Sequence, residues 1–449
     1  MDYKNTSIRK LFLRQLVPNI LGMALTALFI IVDGIFVGRG IGSEALAAVN
    51  IVVPIFTIMT GVGLMFGMGA AILATIYLSK GKKQAANHIA TLSFVVSTLI
   101  MAVYTIIAIC VPEKIVVLLG APEEIIHQAS QYLVTLSLFA VFQTAISSLP
   151  YFVRISSPNY AMLSMAVATI LNIILDYLFI FVFQWGLFGA ALATGIGQVV
   201  GTIMLLYYLI TKSPAIKLVK LKYNLKDLKF GLRNTRLIMQ LGFSVLLSEI
   251  TISIMSIAGN YTFGHYIGVD GVAAFSIINY MFPVVFMIFS AIIQSAQPII
   301  SYNYGLNNRS NIKKSLRLAL MSSIAVGGIF LIISILFSSQ LVSLFISDSS
   351  NPAWMLAVSG LPYFSLDFIF FGINVVFIGY YMSIENSRRA LIITIIRGLL
   401  PVICFAILPI WFSHKGIWLS VPIAEILSTF IIVGSIISRK SSINEPYIR

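Results

Sequence analysis

Residues 264–274, Gly-His-Tyr-Ile-Gly-Val-Asp-Gly-Val-Ala-Ala, repeat the pattern of residues 38–48, Gly-Arg-Gly-Ile-Gly-Ser-Glu-Ala-Leu-Ala-Ala, at an offset of 226 positions. A second pair lies 227 positions apart, where residues 416–420, Gly-Ile-Trp-Leu-Ser, follow the pattern of residues 189–193, Gly-Ala-Ala-Leu-Ala. Both offsets are close to half of the 449 residues. The chain is therefore predicted to consist of two similar structural repeats that together fill it.

The composition indicates that lipid is part of the solvent of this protein. Hydrophobic residues make up 59% of the chain and charged residues 10%, whereas soluble domains carry about 25% charged residues. The mean hydropathy is +0.98. Continuous apolar runs of about 20 residues predict membrane-spanning helices, and the alternating pattern of barrel strands is absent. We expect twelve spans, at roughly 16–38, 47–78, 89–111, 128–152, 160–183, 189–211, 237–262, 273–302, 315–338, 355–382, 391–412 and 417–437.

The spans and the repeat together predict an all-α integral membrane protein with twelve transmembrane helices in two six-helix bundles. We expect an N-lobe at 1–211, a basic cytoplasmic linker at 212–236 and a C-lobe at 237–449. Because six spans return the chain to its starting side, the lobes are predicted to be related by a pseudo-twofold axis along the membrane normal. Such duplicated bundles are typical of transporters with a site between the two halves.

The basic residues predict the orientation of the chain. With a cytoplasmic N-terminus, 25 of the 29 Lys and Arg residues fall in inside segments, Arg154 among them, and 3 fall in outside loops, which leaves Arg397 within a span. This asymmetry predicts a multi-pass plasma-membrane protein with both termini in the cytoplasm. We therefore attribute the net charge of +14 to membrane topology and to contact with anionic lipid headgroups, and not to binding of nucleic acid. We expect a monomer.

Residue patterns of soluble enzymes and of cofactor sites are missing from the sequence. The four histidines show no ligand spacing, the two cysteines form no disulfide framework, and there is no Ser/His/Asp arrangement or phosphate-binding loop. Gly63 and Gly67, four residues apart in a span, favour close helix packing instead of a nucleotide site. We therefore expect a protein that is not an enzyme and has no organic cofactor.

Five acidic residues fall inside predicted spans. Each costs about 2.5–3.5 kcal/mol at a helix centre on insertion scales, so it must face the bundle interior, bind a cation or carry a proton. The structural alternative is that an acid lies near a helix end or pairs with Arg397, and it applies most to Asp367 and Glu425. The five acids are Asp33, Asp176, Glu249, Asp367 and Glu425.

Three stretches resemble motifs of the multidrug and toxic compound extrusion (MATE) family. Residues 32–38, Val-Asp-Gly-Ile-Phe-Val-Gly, resemble its first-helix motif, and residues 171–176, Leu-Asn-Ile-Ile-Leu-Asp, resemble its fifth-helix motif, with Tyr177 in the place of the usual proline. Residues 294–305, Gln-Ser-Ala-Gln-Pro-Ile-Ile-Ser-Tyr-Asn-Tyr-Gly, are similar to its eighth-helix motif and are the most specific of the three. With the twelve spans and the basic linker, the resemblance covers essentially the whole chain.

The resemblance implies a cation-coupling network in the N-lobe. Its acids are Asp33 and Asp176, with Asn172 and Thr194 as further members and Tyr132 as a weaker candidate. Asn172 and Asp176 are four residues apart and so share one helix face. Two carboxylates in a pocket of low dielectric constant are costly to keep ionised together, so they could exchange a proton. With the amide and the hydroxyl they could also hold Na⁺.

In the C-lobe the resemblance is less complete. Glu249 matches an acid that some branches carry early in the seventh helix, and Gln294 replaces the acid of certain members on the eighth. Asp367 lies about one turn from a tenth-helix acid of another branch, and Glu385 stands near a usual loop glycine, so N-lobe coupling is favoured. Methionine adapts to irregular ligands, although lipid contact or core packing are the alternatives for each one. The predicted substrate-binding residues are Glu249, Gln294, Gln297, Met59, Met255 and Met287.

The predicted function is secondary active export of organic, mainly cationic, amphipathic compounds in exchange for H⁺ or Na⁺, by rocking of the two lobes. One alternative is a lipid-linked saccharide flippase of the same superfamily, which would need a cationic cavity. The excess of acids over bases in the spans argues against it. A polytopic membrane enzyme is an alternative of another class, and it would need clustered His, Asp or Ser groups at a membrane face.

Overall fold

Every regular element in the described part of the chain is a helix. The computed structural model describes residues 3, 5–121, 123–221, 225–346 and 348–440. Residues 222–224 of the predicted linker, and the basic residues Lys4 and Arg449 of the charge count, lie outside the described residues. The all-α prediction is confirmed. The helices are α1 Ile8–Gly40, α2 Ser43–Ser79, α3 Lys83–Cys110, α4 Pro112–Leu118, α5 Ile126–Leu138, α6 Ala140–Arg154, α7 Pro158–Asp176, α8 Gly186–Tyr207, α9 Leu225–Tyr266, α10 Val269–Gly305, α11 Arg309–Leu336, α12 Ser338–Ser343, α13 Pro352–Phe364, α14 Asp367–Ser383 and α15 Ser387–Lys440.

Most of these helices are long and apolar enough to cross a membrane. Among the described residues nine helices meet this criterion, or up to eleven when each of two bent helix pairs is taken as one span. Helix α15 is one of the nine, although its backbone turns at Ser413, with φ 50° and ψ −135°. The predicted spans 391–412 and 417–437 lie on the two sides of this turn. The multi-pass prediction is confirmed, and the count of twelve stays a prediction.

The turns between helices repeat along the chain at the offset of the sequence duplication. A positive φ is uncommon outside glycine, so such residues mark corresponding turns. Their recurrence at 226 or 227 positions shows that both halves of the chain turn at matching places. The pairs are Gly42 and Gly268 (φ 128° and 87°), Gly81 and Asn307 (φ 73° and 56°), and Gly186 and Ser413 (φ 57° and 50°).

The chain divides into two compact units. The first consists of Met1–Glu249, Gln294–Ser315 and Met382–Ser387, and the second of Ile250–Ile293, Leu316–Tyr381 and Arg388–Arg449. Helices α9 and α10 each contribute residues to both units. The division into lobes at 1–211 and 237–449 is a division by sequence repeat, and it stays a prediction.

Glycines allow close helix contacts in the first unit. A Cβ atom on Gly63 would lie 2.7 Å from the carbonyl oxygen of Thr144, and one on Gly67 would lie 2.6 Å from Cα of Ser148. Both distances are too short for any larger residue, so α2 and α6 meet backbone to backbone. The packing role predicted for this glycine pair is confirmed.

Glu385, between α14 and α15, adopts a left-handed backbone with φ 58°, where the sequence resemblance expects a glycine nearby. This conformation costs a residue with a Cβ roughly 1–2 kcal/mol. Part of the gain from a glycine here is offset because glycine has more freedom in the unfolded chain. We expect Glu385→Gly to raise the free energy of unfolding by about 1 kcal/mol, measured by thermal unfolding of the purified protein.

Two variants separate the causes of that gain. Asn307→Gly should change stability less, because asparagine adopts φ 56° more readily than glutamate does. Glu385 is exposed, and partial desolvation raises its pKa above the ordinary value, while Lys80 opposes the shift. Its contribution to stability is reduced by solvent screening and is lost as pH rises through the raised pKa. Glu385→Gln removes the titrating carboxyl group but keeps the left-handed backbone, so the loss of stability with rising pH should disappear while the backbone strain remains. A gain of equal size in Asn307→Gly would contradict the strain explanation.

Candidate functional site

The predicted coupling residues lie together in the first unit. Asp33 is half-buried on α1, while Asn172 and Asp176 are buried on α7 and Thr194 is buried on α8. The side-chain nitrogen of Asn172 donates to Oγ1 of Thr194 at 3.3 Å. The carboxyl groups of Asp33 and Asp176 interact electrostatically with each other, and Tyr132 of α5 is buried within electrostatic range of both.

Several oxygen atoms of this cluster have no hydrogen-bond partner among the described residues. They are both carboxylate oxygens of Asp176 and the amide oxygen of Asn172, and all three are buried. Leaving a buried acceptor unsatisfied is costly, and more so for a charged group. The cluster therefore favours a bound proton or a small cation that would satisfy these oxygens.

The local backbone explains how α7 and α8 bring the oxygens together. A Cβ atom on Gly197 would lie 2.8 Å from the carbonyl oxygen of Ala168 and 3.2 Å from Cβ of Asn172, so only glycine allows this approach. The helix widens into a π-helical turn at Tyr177–Val182, directly after Asp176. Such turns occur frequently at functional sites.

The donor set fits the coupling ions that the sequence predicts. Carboxylate, amide and hydroxyl oxygens are hard donors that suit a hard cation, and an acid pair suits a proton. Asp33, Asn172, Asp176 and Thr194 would hold Na⁺. The described residues contain no group of three or more His, Cys, Asp or Glu side chains that could bind a metal ion, so the amide and hydroxyl would have to complete the set.

The predicted substrate-binding residues belong to both units of the chain. Glu249 is half-buried on α9 beside Gly61, and it interacts electrostatically with Tyr151 of α6. Gln294 and Gln297 are buried on α10 and line a cavity of about 10 Å³. That is about the room that one water molecule needs, so no organic cation fits between them in this conformation.

The methionines differ in their surroundings. Met59 is buried on α2 in the first unit, and Met255 is buried on α9 in the second. Met287, also in the second unit, is half-buried. Burial of Met59 and Met255 agrees with core packing, the alternative that the sequence left open, and their role in substrate binding stays a prediction.

Arg154 lies in the interior of the protein. The sequence predicts it in an inside segment, with Arg397 as the one base within a span, and in the structure it is 4% exposed at the end of α6. Its position relative to the membrane stays a prediction. Arg154 donates to Oε1 of Gln294. A lone arginine just beyond an apolar run is indistinguishable from a loop residue by charge counting, so the sequence carried no signal of its burial.

The second unit holds a buried polar network. Nε of Arg397 and Oε1 of Glu425 are 2.6 Å apart, and the side-chain nitrogen of Asn374 donates to Oε2 of Glu425 at 2.6 Å. The pairing with Arg397 that the sequence offered as an alternative is therefore confirmed for Glu425. Asp367 is fully buried within electrostatic range of both charges, and neither of its oxygens has a hydrogen-bond partner among the described residues.

Comparison with known proteins agrees with this architecture. The chain is 25% identical over 433 residues to the multidrug export protein MepA of Staphylococcus saprophyticus, covering 94% of this chain and 92% of that protein. It is also 25% identical over 429 residues to MepA of Staphylococcus aureus strain MRSA252, and the match covers 95% of this chain and 92% of that protein.

Solved structures share the fold at low identity. A MOP superfamily transporter from Pyrococcus furiosus superposes with a TM-score of 0.90 at 22% identity over 98% of both chains. A multidrug resistance MATE family transporter in an outward-facing conformation superposes with a TM-score of 0.89, at 22% identity over 98% of both chains. The MatE family model matches residues 18–178 and 245–408, one segment in each half of the chain. The chain therefore belongs to the MatE family, whose members are membrane transporters and not enzymes.

Proposed function

We propose that this protein is a secondary active multidrug exporter that exchanges organic, mainly cationic, amphipathic compounds for H⁺ or Na⁺. The observation that carries the proposal is the cluster of Asp33, Asn172 and Asp176, because the unsatisfied buried oxygens of Asn172 and Asp176 favour a reversibly bound cation. The multidrug export proteins among its relatives support the same class of activity.

The cluster supplies a coupling step that this chain's own residues can perform. Uptake of a proton or Na⁺ would neutralise the Asp33–Asp176 pair and shift the protein toward release of the compound outside. Loss of the cation to the cytoplasm would restore the anionic state that accepts the compound. A cation drives this exchange only through its different affinities for the two states.

Transport by proteoliposomes tests the proposal. A pH gradient and a Na⁺ gradient would be imposed separately, and uptake of a fluorescent organic cation would be followed in each. We expect one of the gradients to drive transport and to collapse with the matching ionophore. Transport that neither gradient drives would contradict secondary active exchange.

The orientation of the chain belongs to the same proposal. The charge asymmetry supports a cytoplasmic N-terminus and a cytoplasmic 212–236 linker. In a background without Cys110 and Cys404, a single cysteine at position 43 should react with an impermeant reagent added outside intact cells. A cysteine at position 222 should react only after permeabilisation. The opposite labelling pattern would reverse the proposed orientation.

Glu249 is the acid proposed to meet a cationic compound. A monovalent cation is costly to move into a partly apolar cavity unless a carboxylate compensates it. We expect Glu249→Gln to weaken binding of a cationic ligand by about 1–3 kcal/mol, the range for a hydrogen bond to a charged group. A neutral ligand should be affected much less in the same binding assay on purified protein.

The competing explanation is that Glu249 serves structure, through its interaction with Tyr151. Equal losses for the cationic and the neutral ligand, or a lower melting temperature without ligand, would favour that explanation. Tyr151→Phe is a useful companion variant, because it keeps the ring and removes the hydroxyl that interacts with this acid.

A further inference from the structure

Arg154 is a buried cation whose recorded partners are all neutral. Its side chain donates to Oε1 of Gln294, and Nη2 lies 3.5 Å from the sulfur of Met165. The guanidinium carbon lies 5.3 Å from the ring centroid of Tyr151. These contacts orient the guanidinium group, but none of them supplies a negative charge.

The charge of Arg154 is therefore not compensated within the described residues. The ion pair recorded there joins Arg397 and Glu425, and Arg154 takes part in none. Arg154 and Glu249 both interact with Tyr151, but no ion pair joins Arg154 and Glu249. A buried ion without an opposite charge costs several kcal/mol, so a bound anion would stabilise the site.

Two further polar groups face the same cavity. The side-chain nitrogen of Gln297 and the hydroxyl of Ser301 are buried, and neither has a hydrogen-bond partner among the described residues. They are four residues apart on α10 and so lie on one helix face. Both residues line the cavity together with Arg154. Three potential donors from two helices thus meet at one cavity.

The size and charge of this cavity select the ligand. Its volume of about 10 Å³ is the room that one water molecule needs, so a small ion fits it better than phosphate, sulfate or an organic acid. Water could satisfy the donors, but it would leave the charge of Arg154 uncompensated. A monatomic anion satisfies both requirements. We propose that the cavity binds a chloride ion between Arg154, Gln297 and Ser301.

The site would have a structural consequence inside the first unit. Arg154 ends α6, whereas Gln297 and Ser301 belong to the Gln294–Ser315 segment. A chloride ion between them links the two segments without a covalent bond. Tyr3 strengthens the same link, because its hydroxyl donates to the carbonyl oxygen of Ile155 at 3.0 Å and its ring stacks on Tyr302 at 5.1 Å. Chloride is therefore expected to stabilise this packing.

Thermal unfolding of the full-length purified protein tests the proposal. Potassium chloride would replace potassium gluconate at a constant ionic strength of about 150 mM, so that screening by salt is the same in both. We expect chloride to raise the melting temperature of the wild-type protein by about 2–4 °C in a saturable manner. The rise should disappear in Arg154→Gln and persist in Arg309→Gln, which removes an exposed arginine. No rise in the wild type, or a rise that persists in Arg154→Gln, would overturn the proposal.

A second variant decides the question if Arg154→Gln does not fold. Gln297→Glu places a carboxylate beside Arg154 that would substitute for the ion, so it should remove the chloride dependence and raise the melting temperature in gluconate. Retained chloride dependence would contradict the site.

Crystals grown in bromide provide a direct test of the site. An anomalous peak is expected between Arg154, Gln297 and Ser301, and a cavity that shows no peak and holds only water would also overturn the proposal.

Discussion

Asp176→Asn is expected to reduce gradient-driven efflux to the background of empty proteoliposomes, without lowering the melting temperature. The amide keeps the volume of the carboxyl group but can neither take up a proton nor offer a full negative charge to Na⁺. Both carboxylate oxygens of Asp176 lack hydrogen-bond partners among the described residues, so the main interaction that the substitution changes is the electrostatic one with Asp33. It also removes the cost of burying a charge.

Asp33→Asn should have the same effect on efflux, because the two carboxyl groups act as a pair. Asp348→Asn is the matched control. Its carboxylate is exposed and accepts hydrogen bonds from the backbone and side chain of Ser350, outside the proposed site. Near-normal efflux in Asp176→Asn or Asp33→Asn would remove that residue from the coupling mechanism. A lower melting temperature in Asp176→Asn would instead assign it a structural role.

The sequence alone predicted the structural features that depend on local residue patterns. The apolar runs predicted the long helices, and the duplicated stretch predicted two structural repeats, with which the matching turns at Gly42 and Gly268 agree. The spacing of Asn172 and Asp176 placed two of the oxygen donors on one face of α7. Their meeting with Asp33 came from the family resemblance, since no local pattern connects residues so far apart in sequence.

The burial of individual side chains was less predictable. Arg154 ends an apolar run, and a basic residue in that position usually marks an inside loop. In the structure it contacts Gln294, which lies far away in the sequence. Methionine is common at adaptable binding surfaces, and Met59 was predicted to line one, but its side chain is only 1% exposed. Such outcomes depend on which helix faces meet, and helix periodicity alone does not specify that.

The Arg397–Glu425 pair gives the second large expected effect. Arg397→Met should lower the free energy of unfolding by about 3–5 kcal/mol, because removing one partner of a buried ion pair leaves an uncompensated charge. Arg388→Met, at an exposed arginine near the start of α15, is the matched control and should leave stability nearly unchanged.

The double variant Arg397→Met/Glu425→Gln shows whether charge is the cause. With both charges removed, the glutamine that replaces Glu425 is still able to accept from Asn374. The methionine can fill the space beside Phe371, whose ring centroid lies 4.5 Å from the guanidinium carbon of Arg397. Replacing both members of a buried pair is often nearly neutral. We therefore expect the double variant to recover most of the stability that Arg397→Met loses. If it is as unstable as Arg397→Met, the arginine contributes through packing, and the ion pair is not what stabilises the second unit.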